Sequence, residues 1–264
     1  MERMPRLRPF RPEDLTAILE RVVSDLPGTI GVYVTDLATG RSAGLNPMAE
    51  FYAASTIKVP IAMAVLWLAD RRRISLDQTI AYQPEDYQAG TGILQATIQP
   101  GDEVSVRRLL ELTITVSDNI ARNMLERFIG SGTIRNYMLS LGVAPAYDPL
   151  ETPVTPYGMN QVLIALDSGR SGLSPASTRM LLRWMEEAVF RRRIPRYLPE
   201  SAVVATKIGS RDDEFHDVGL VYAPDRSFAI SVFTKGMTEA QAEEAIARIA
   251  EAVYWYMDSL TRPG

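Results

Sequence analysis

Three short segments of this chain carry side chains that could cooperate in acyl transfer. The first is Ser55-Thr56-Ile57-Lys58, at the head of an apolar run of helical length that reaches Leu68. Positions i and i+3 share a helix face, so the lysine amine can reach the serine hydroxyl. Burial and the positive end of a helix both disfavour a lysine cation, which suits the amine to act as a base. The same helix end favours an oxyanion forming beside the serine. An N-capping serine followed by a solvated lysine has this pattern too, but the apolar neighbours Phe51, Tyr52, Val59 and Ile61 weigh against a merely solvated Lys58. The second segment is Ser117-Asp118-Asn119, opening a helix predicted over Asn119 to Ile129. All three residue types are good N-caps. Read for chemistry, Ser117 relays a proton, Asn119 holds a substrate amide and Asp118 is a buried structural group. The third is Lys207-Ile208-Gly209, at the end of a predicted strand. A lysine there could place charge near Ser117, and the glycine would let substrate approach the strand. As a bare tripeptide it also fits a strand leading into a turn.

These segments need elements to hold them. Leu15, Ile18, Leu19 and Val22 recur at helical spacing and predict a helix over Pro12 to Ser24, stopped by Pro27-Gly28. Thr29 to Asp36 reads as a strand, with a short second strand after the turn Ala38-Thr39-Gly40. Ser55 to Arg73 reads as a helix apolar nearly all round, and so buried on most sides. The middle of the chain is mostly helix and loop, with helices over Val104 to Thr113, Asn119 to Ile129, Tyr157 to Asp167 and Ser177 to Arg192. Strands return at Ala202 to Lys207, Asp217 to Tyr222 and Ser227 to Thr234, and a final amphipathic helix spans Glu239 to Leu260. This order predicts an α/β (α+β) fold in which both chain ends build one antiparallel sheet flanked by helices. The sheet lobe would comprise residues 1–67 and 200–264, and an inserted all-helical lobe residues 68–199.

Composition narrows the chemistry. The 264 residues are 46% hydrophobic and carry a net charge of −4, with no basic face to draw nucleic acid. There is no cysteine and one histidine, His216, which excludes disulfides, thiolate metal sites and sites built on several imidazoles. No metal or cofactor is expected. The arginine runs 71–73 and 191–193 are read as solvated helix ends. Gly90-Thr91-Gly92 and Gly130-Ser131-Gly132 lack the rest of a phosphate-loop fingerprint and are read as turns. No stretch is long and apolar enough for a membrane span, and the N-terminus lacks the apolar core of a signal peptide. The compartment stays open: cytoplasmic if the sequence is complete, extracytoplasmic if it has been trimmed. A monomer is expected.

Taken together and in this order, S-x-x-K, S-D-N and K-x-G resemble the class A β-lactamases and the related penicillin-binding serine peptidases. The segments FYAASTIKVPIAMAVL and LLELTITVSDNIARNMLE are similar to that family's, and the resemblance runs over roughly residues 12 to 260. It implies that Ser55 is acylated, that Lys58 takes or relays its proton, and that Ser117 passes a proton to the leaving nitrogen. It further implies that Asn119 orients the acyl-amide side chain and that Lys207 supports Ser117 and attracts the substrate carboxylate. The backbone N–H groups of Ser55 and Ser210 would form an oxyanion hole, and Tyr87 a wall of the cleft. The substrate would be a small-molecule or peptide amide.

Two departures stand out. Ile208 occupies the place of a hydroxyl residue that binds the β-lactam carboxylate in that family, with Arg211 as the nearest substitute. The loop that carries a deacylating glutamate is shortened, leaving Asp148 and Glu151 as its only carboxylates. His216 is read as structural. Three functions remain open at this point: a β-lactamase with impaired deacylation, a D-alanyl-D-alanine peptidase or esterase, and a domain that binds such a ligand without turnover.

Overall fold

The structure, a computed structural model, describes residues 9–142, 152–224 and 226–261. Helix α1 (Pro12–Val23) starts on a proline whose missing N–H costs nothing in a first turn. It sinks Leu15 and Leu19 completely. Strands β1 (Thr29–Asp36) and β2 (Ser42–Leu45) form a hairpin, and the two-residue β3 (Phe51–Tyr52) follows. A 3-10 turn, Ala54–Ile57, then leads into α2 (Lys58–Asp70). The expected helix from Ser55 therefore begins as a tighter turn, with its first α-helical residue at Lys58. From Val59 to Leu66 every α2 side chain is buried, as its all-round apolar sequence requires.

The helical part holds α3 (Val106–Thr115), α4 (Asn119–Ile129), α5 (Ser131–Ser140), α6 (Pro156–Asp167) and α7 (Pro175–Glu186). Two small ladders lie among them: β4 (Thr79–Ala81) with β5 (Glu103–Ser105), and β3 with β6 (Pro153–Val154). The chain returns to the sheet through β7 (Val203–Arg211), β8 (Glu214–Tyr222) and β9 (Phe228–Lys235), and ends in α8 (Glu239–Ser259), opened by a capping box on Thr238 and Gln241.

The five-stranded antiparallel sheet has the order β2-β1-β9-β8-β7. Strand β1 pairs along its whole length with β9, Val32 opposite Val232, so the two chain ends close one sheet. The fold is the expected α+β arrangement. Each sheet face carries a core. On one side Val32, Val34 and Ile230 pack with Leu15, Leu19, Ile246 and Val253 of α1 and α8. On the other, Ala205, Val218 and Phe233 pack with Ile61, Leu109 and Leu163 of the inserted helices. No helix among the described residues is long and apolar enough to cross a membrane.

Several boundaries differ from expectation. Strand β7 runs on to Arg211, because β8 starts at Glu214 and pairs Ile208 with Asp217 and Gly209 with His216. Lys207-Ile208-Gly209 therefore lies within a strand instead of at its end. Helix α7 stops at Glu186 instead of Arg192. The chain there turns inward, Val189 N–H donating to Thr115 O and the Arg191 guanidinium to Val204 O. The run 191–193 is consequently not a solvated helix end: Arg193 is 2% exposed.

Candidate active site

Edge strand β7 and the turn before α2 meet at the mouth of a cleft of about 630 Å³. The turn is tight. Ala54 sits at φ +45°, a left-handed conformation unfavourable for a residue with a Cβ. Three bonds hold it there: Thr56 Oγ1 and N–H both donate to Ala53 O, and Ala53 N–H donates to Thr152 O. Gly209 is what allows the turn so close. A Cβ on Gly209 would lie 3.0 Å from Ala54 Cβ and 3.1 Å from Ser55 N. The bare strand thus admits the serine turn as well as any substrate. Ser55 lines the cleft, and its Oγ makes no hydrogen bond among the described residues.

Behind Ser55 two buried lysines converge on one hydroxyl. Lys58 Nζ donates to Ser117 O at 2.7 Å and to Asn119 Oδ1 at 2.7 Å, and lies 3.1 Å from Ser117 Oγ. Lys207 Nζ lies 2.8 Å from the same Oγ and donates to Ile208 O at 3.0 Å. Burial pushes the Lys58 pKa well below that of a free lysine, and repulsion from Lys207 and Arg122 adds to it against the pull of Asp118. Burial also lowers Lys207, to about 7, with the attraction of Asp217 opposing. A neutral Lys58 has a lone pair to take a proton, and a hydroxyl touching both amines can accept from one while donating to the other. Lys58, Ser117 and Lys207 can therefore pass a proton along one chain beside the cleft. Ser117 is itself at φ +55°, a second strained serine-turn backbone in the same site.

Asp118 explains that strain. It is 1% exposed and caps α4 by accepting from Ala121 N–H, while its other oxygen accepts from Ile93 N–H and Leu94 N–H. Asn119 N–H donates to Thr91 O and its side-chain amide to Ala89 O. Asn119 thus fastens the loop 88–91 as the facing wall, and the Asp118 carboxylate anchors the chain just after it at Ile93 and Leu94. Tyr87, expected as part of that wall, lies immediately before it in the chain. Tyr87 is 56% exposed and does not line the cleft, which is walled instead by the following residues Gln88 to Thr91. The capped turn Pro84–Asp86 ends at Tyr87, whose extended backbone carries the chain into the wall only after it.

At the far end Ile208, Ser210 and Arg211 line the cleft. The Arg211 guanidinium lies 4.1 Å above the Tyr52 ring, a cation–π arrangement. Arg193, unforeseen in sequence, clamps this stretch from below. Its Nη1 donates to Gly209 O at 2.8 Å and His216 O at 2.6 Å, and its Nη2 to Ser210 Oγ at 2.6 Å. His216 is fully buried and held neutral, its pKa pushed down to about 3 by burial. Its Nδ1 accepts from Thr234 N–H, which leaves Nε2–H to donate to Tyr52 O at 2.8 Å. It props the residue beneath Arg211 and does not line the cleft. Arg122, also unforeseen, does line it. Asp148 and Glu151 lie outside the described residues.

This arrangement has known counterparts. The sequence matches the β-lactamase enzyme family over residues 14–257. It is 26% identical to the extended-spectrum β-lactamase PER-1 of Pseudomonas aeruginosa, over 90% of this chain and 85% of that one. It is 25% identical to β-lactamase VEB-1 of the same organism, over 92% and 90%. Among solved structures, PBP-A superposes with a TM-score of 0.88 at 27% identity, covering 96% of this chain and 99% of its own. A β-lactamase from Sphaerobacter thermophilus superposes with 0.84 at 27%, covering 94% and 98%. With most of its length matched and its sheet and helices superposing on these enzymes, the chain belongs to the β-lactamase enzyme family and is a β-lactamase-like serine hydrolase.

Proposed function

We propose that Ser55 attacks the carbonyl of a β-lactam-like amide bearing a carboxylate, and that the resulting acyl-enzyme is hydrolysed slowly. The observation that carries the reading is the pair of buried amines on Ser117 Oγ beside an open Ser55. In the acylation step the Ser55 hydroxyl adds to the carbonyl carbon and its proton passes to neutral Lys58. The tetrahedral oxyanion is held by the N–H groups of Ser55 and Ser210. As the C–N bond breaks, Ser117 gives its proton to the leaving nitrogen and is reprotonated from Lys58, so the lysine ends neutral. Asn119 orients the acyl-side amide. The substrate carboxylate lies toward Lys207 and the Arg211–Tyr52 pair, Arg211 serving where Ile208 has no hydroxyl to offer.

Slow hydrolysis is supported by what faces the ester. Among the described residues the cleft is lined by Lys58, Arg122 and Arg211 but by no carboxylate, so none of them offers a carboxylate base to activate water. A second reading, a penicillin-binding peptidase, is favoured by the likeness to PBP-A, a mutant of which has been solved as an acyl-enzyme with penicillin G.

Intact-protein mass over time with excess benzylpenicillin decides between them. The expected result is an adduct of one drug mass on wild type, absent from Ser55→Ala, that persists long after the free drug is gone. Rapid turnover with only a fleeting adduct would show efficient deacylation and sink the slow step. An adduct that never decays would favour the peptidase reading, and no Ser55-dependent adduct or hydrolysis would overturn acylation by β-lactams.

A further inference from the structure

The cleft carries a cation at each end in a protein of net charge −4. Arg211 stands at the end by Ser210, where the proposed reading places the substrate carboxylate. Arg122 stands at the other and, apart from repelling a charge on Lys58, takes no part in the acyl-transfer steps. It follows Asn119 by three residues on α4, so the two share a helix face. Asn119 reaches toward Lys58 on one side and Ala89 on the other, and the Arg122 guanidinium lies beyond it, near Gln88.

We propose that the natural acyl donor carries two anionic groups and that Arg122 reads the second one, on the acyl half of the substrate beyond the amide held by Asn119. The inference rests on the reading of Asn119 as the acyl-side contact. Three features support it. Arg122 lines the cleft, yet its side chain is only 12% exposed, so its direction is fixed. Glu126, one turn further on, takes Nη1 at 2.6 Å but is not itself a lining residue, so it braces the guanidinium from behind without filling the cleft. The other terminal nitrogen is poorly used: Nη2 has only a 3.4 Å contact to Gln88 Oε1. A guanidinium in this state gains most from a planar anion such as a carboxylate.

Benzylpenicillin and carbenicillin test this, since they differ by one carboxylate on the acyl side chain. Acylation rates of Ser55 by each are measured on wild type, on Arg122→Lys and on the charge-balanced double variant Arg122→Gln/Glu126→Gln, which leaves no buried carboxylate alone. Equilibrium binding of both compounds to Ser55→Ala is measured beside them. Wild type is expected to prefer carbenicillin roughly tenfold, the order of a charge-assisted hydrogen bond. The preference should shrink in Arg122→Lys, vanish in the double variant, and persist as a binding preference in Ser55→Ala. Equal rates in wild type, or a preference that the double variant keeps, would overturn the proposal. If neither compound acylates Ser55, the acyl-transfer reading fails by itself. Binding to Ser55→Ala then still decides the role of Arg122, and equal or undetectable binding of both compounds would overturn it.

Discussion

Lys207 illustrates how a residue can serve the site and harm the fold. Its amine is buried on every side, and its pKa is lowered to about 7. Between about pH 7 and 10.5 the unfolded chain holds this proton and the folded chain does not, so this group makes the protein more stable as pH rises through that window and less so as it falls. Asp217, on the other sheet face, is raised by burial to about 7. The folded state keeps its proton between about pH 4 and 7 while the unfolded state loses it, so its contribution falls as pH rises through that lower window. The two slopes oppose each other and meet near neutrality. Lys207→Met is therefore expected to unfold at a higher temperature at pH 7, by at least about 1 kcal/mol of stability. It should flatten the rise in stability between pH 7 and 10 and lose most Ser55 acylation. Thermal melts across pH check this, and a Met variant less stable than wild type at pH 7 would show that the bonds to Ser117 and Ile208 outweigh burial of the amine.

At the scale of elements, the site depends on a strand, a turn and a helix start brought within van der Waals contact. Gly209→Ala places a methyl 3.0–3.1 Å from Ala54 and Ser55, so the turn must shift by a few tenths of an ångström. Displacements of this size cost rate more than stability, and acylation should slow roughly tenfold or more, with a melting temperature within a few degrees of wild type. An unchanged acylation rate would show that the turn yields without moving Ser55. The serine and lysine positions stand out in the sequence because each has a local signal: an apolar run after Lys58, a capping pattern at Asp118, a β-rich run before Lys207. Strand β7 reads too short because Gly209-Ser210-Arg211 looks like a turn, and only the pairing partner Glu214–Asp217 makes it strand. Arg193 is illegible for the same reason. Its partners are carbonyls 16 and 23 residues away, and nothing beside it distinguishes it from the solvated Arg192, which is 78% exposed. Arg122 likewise reads as an ordinary helix-surface residue until the loop 88–91 is seen facing it.

For the whole molecule, the sheet divides two tasks. One face, with α1 and α8, is an apolar core none of whose members lines the cleft, while the other face carries Lys207 and packs on the helices that hold Lys58 and Ser117. The strands that join these faces come from opposite ends of the chain: β1 pairs with β9 across nearly 200 intervening residues. Such a long loop has to close before the central pairing forms, which makes folding slow relative to proteins of local topology. The α8 face secures the sheet on which the site is built, and its link to the cleft strand runs through Arg193, which bonds Glu239 of α8 as well as Ser210 Oγ. Ile246 is fully buried in that core, and Ile246→Ala should cost about 2–5 kcal/mol, lowering the melting temperature by roughly 5–15 °C. Far below that temperature the acylation rate of Ser55 should match wild type, because Ile246 lies in the core behind the sheet and lines no part of the cleft. A rate that falls with stability even in the fully folded protein would mean that the two faces are mechanically coupled, and that α8 helps to set the strand edge beside Ser55.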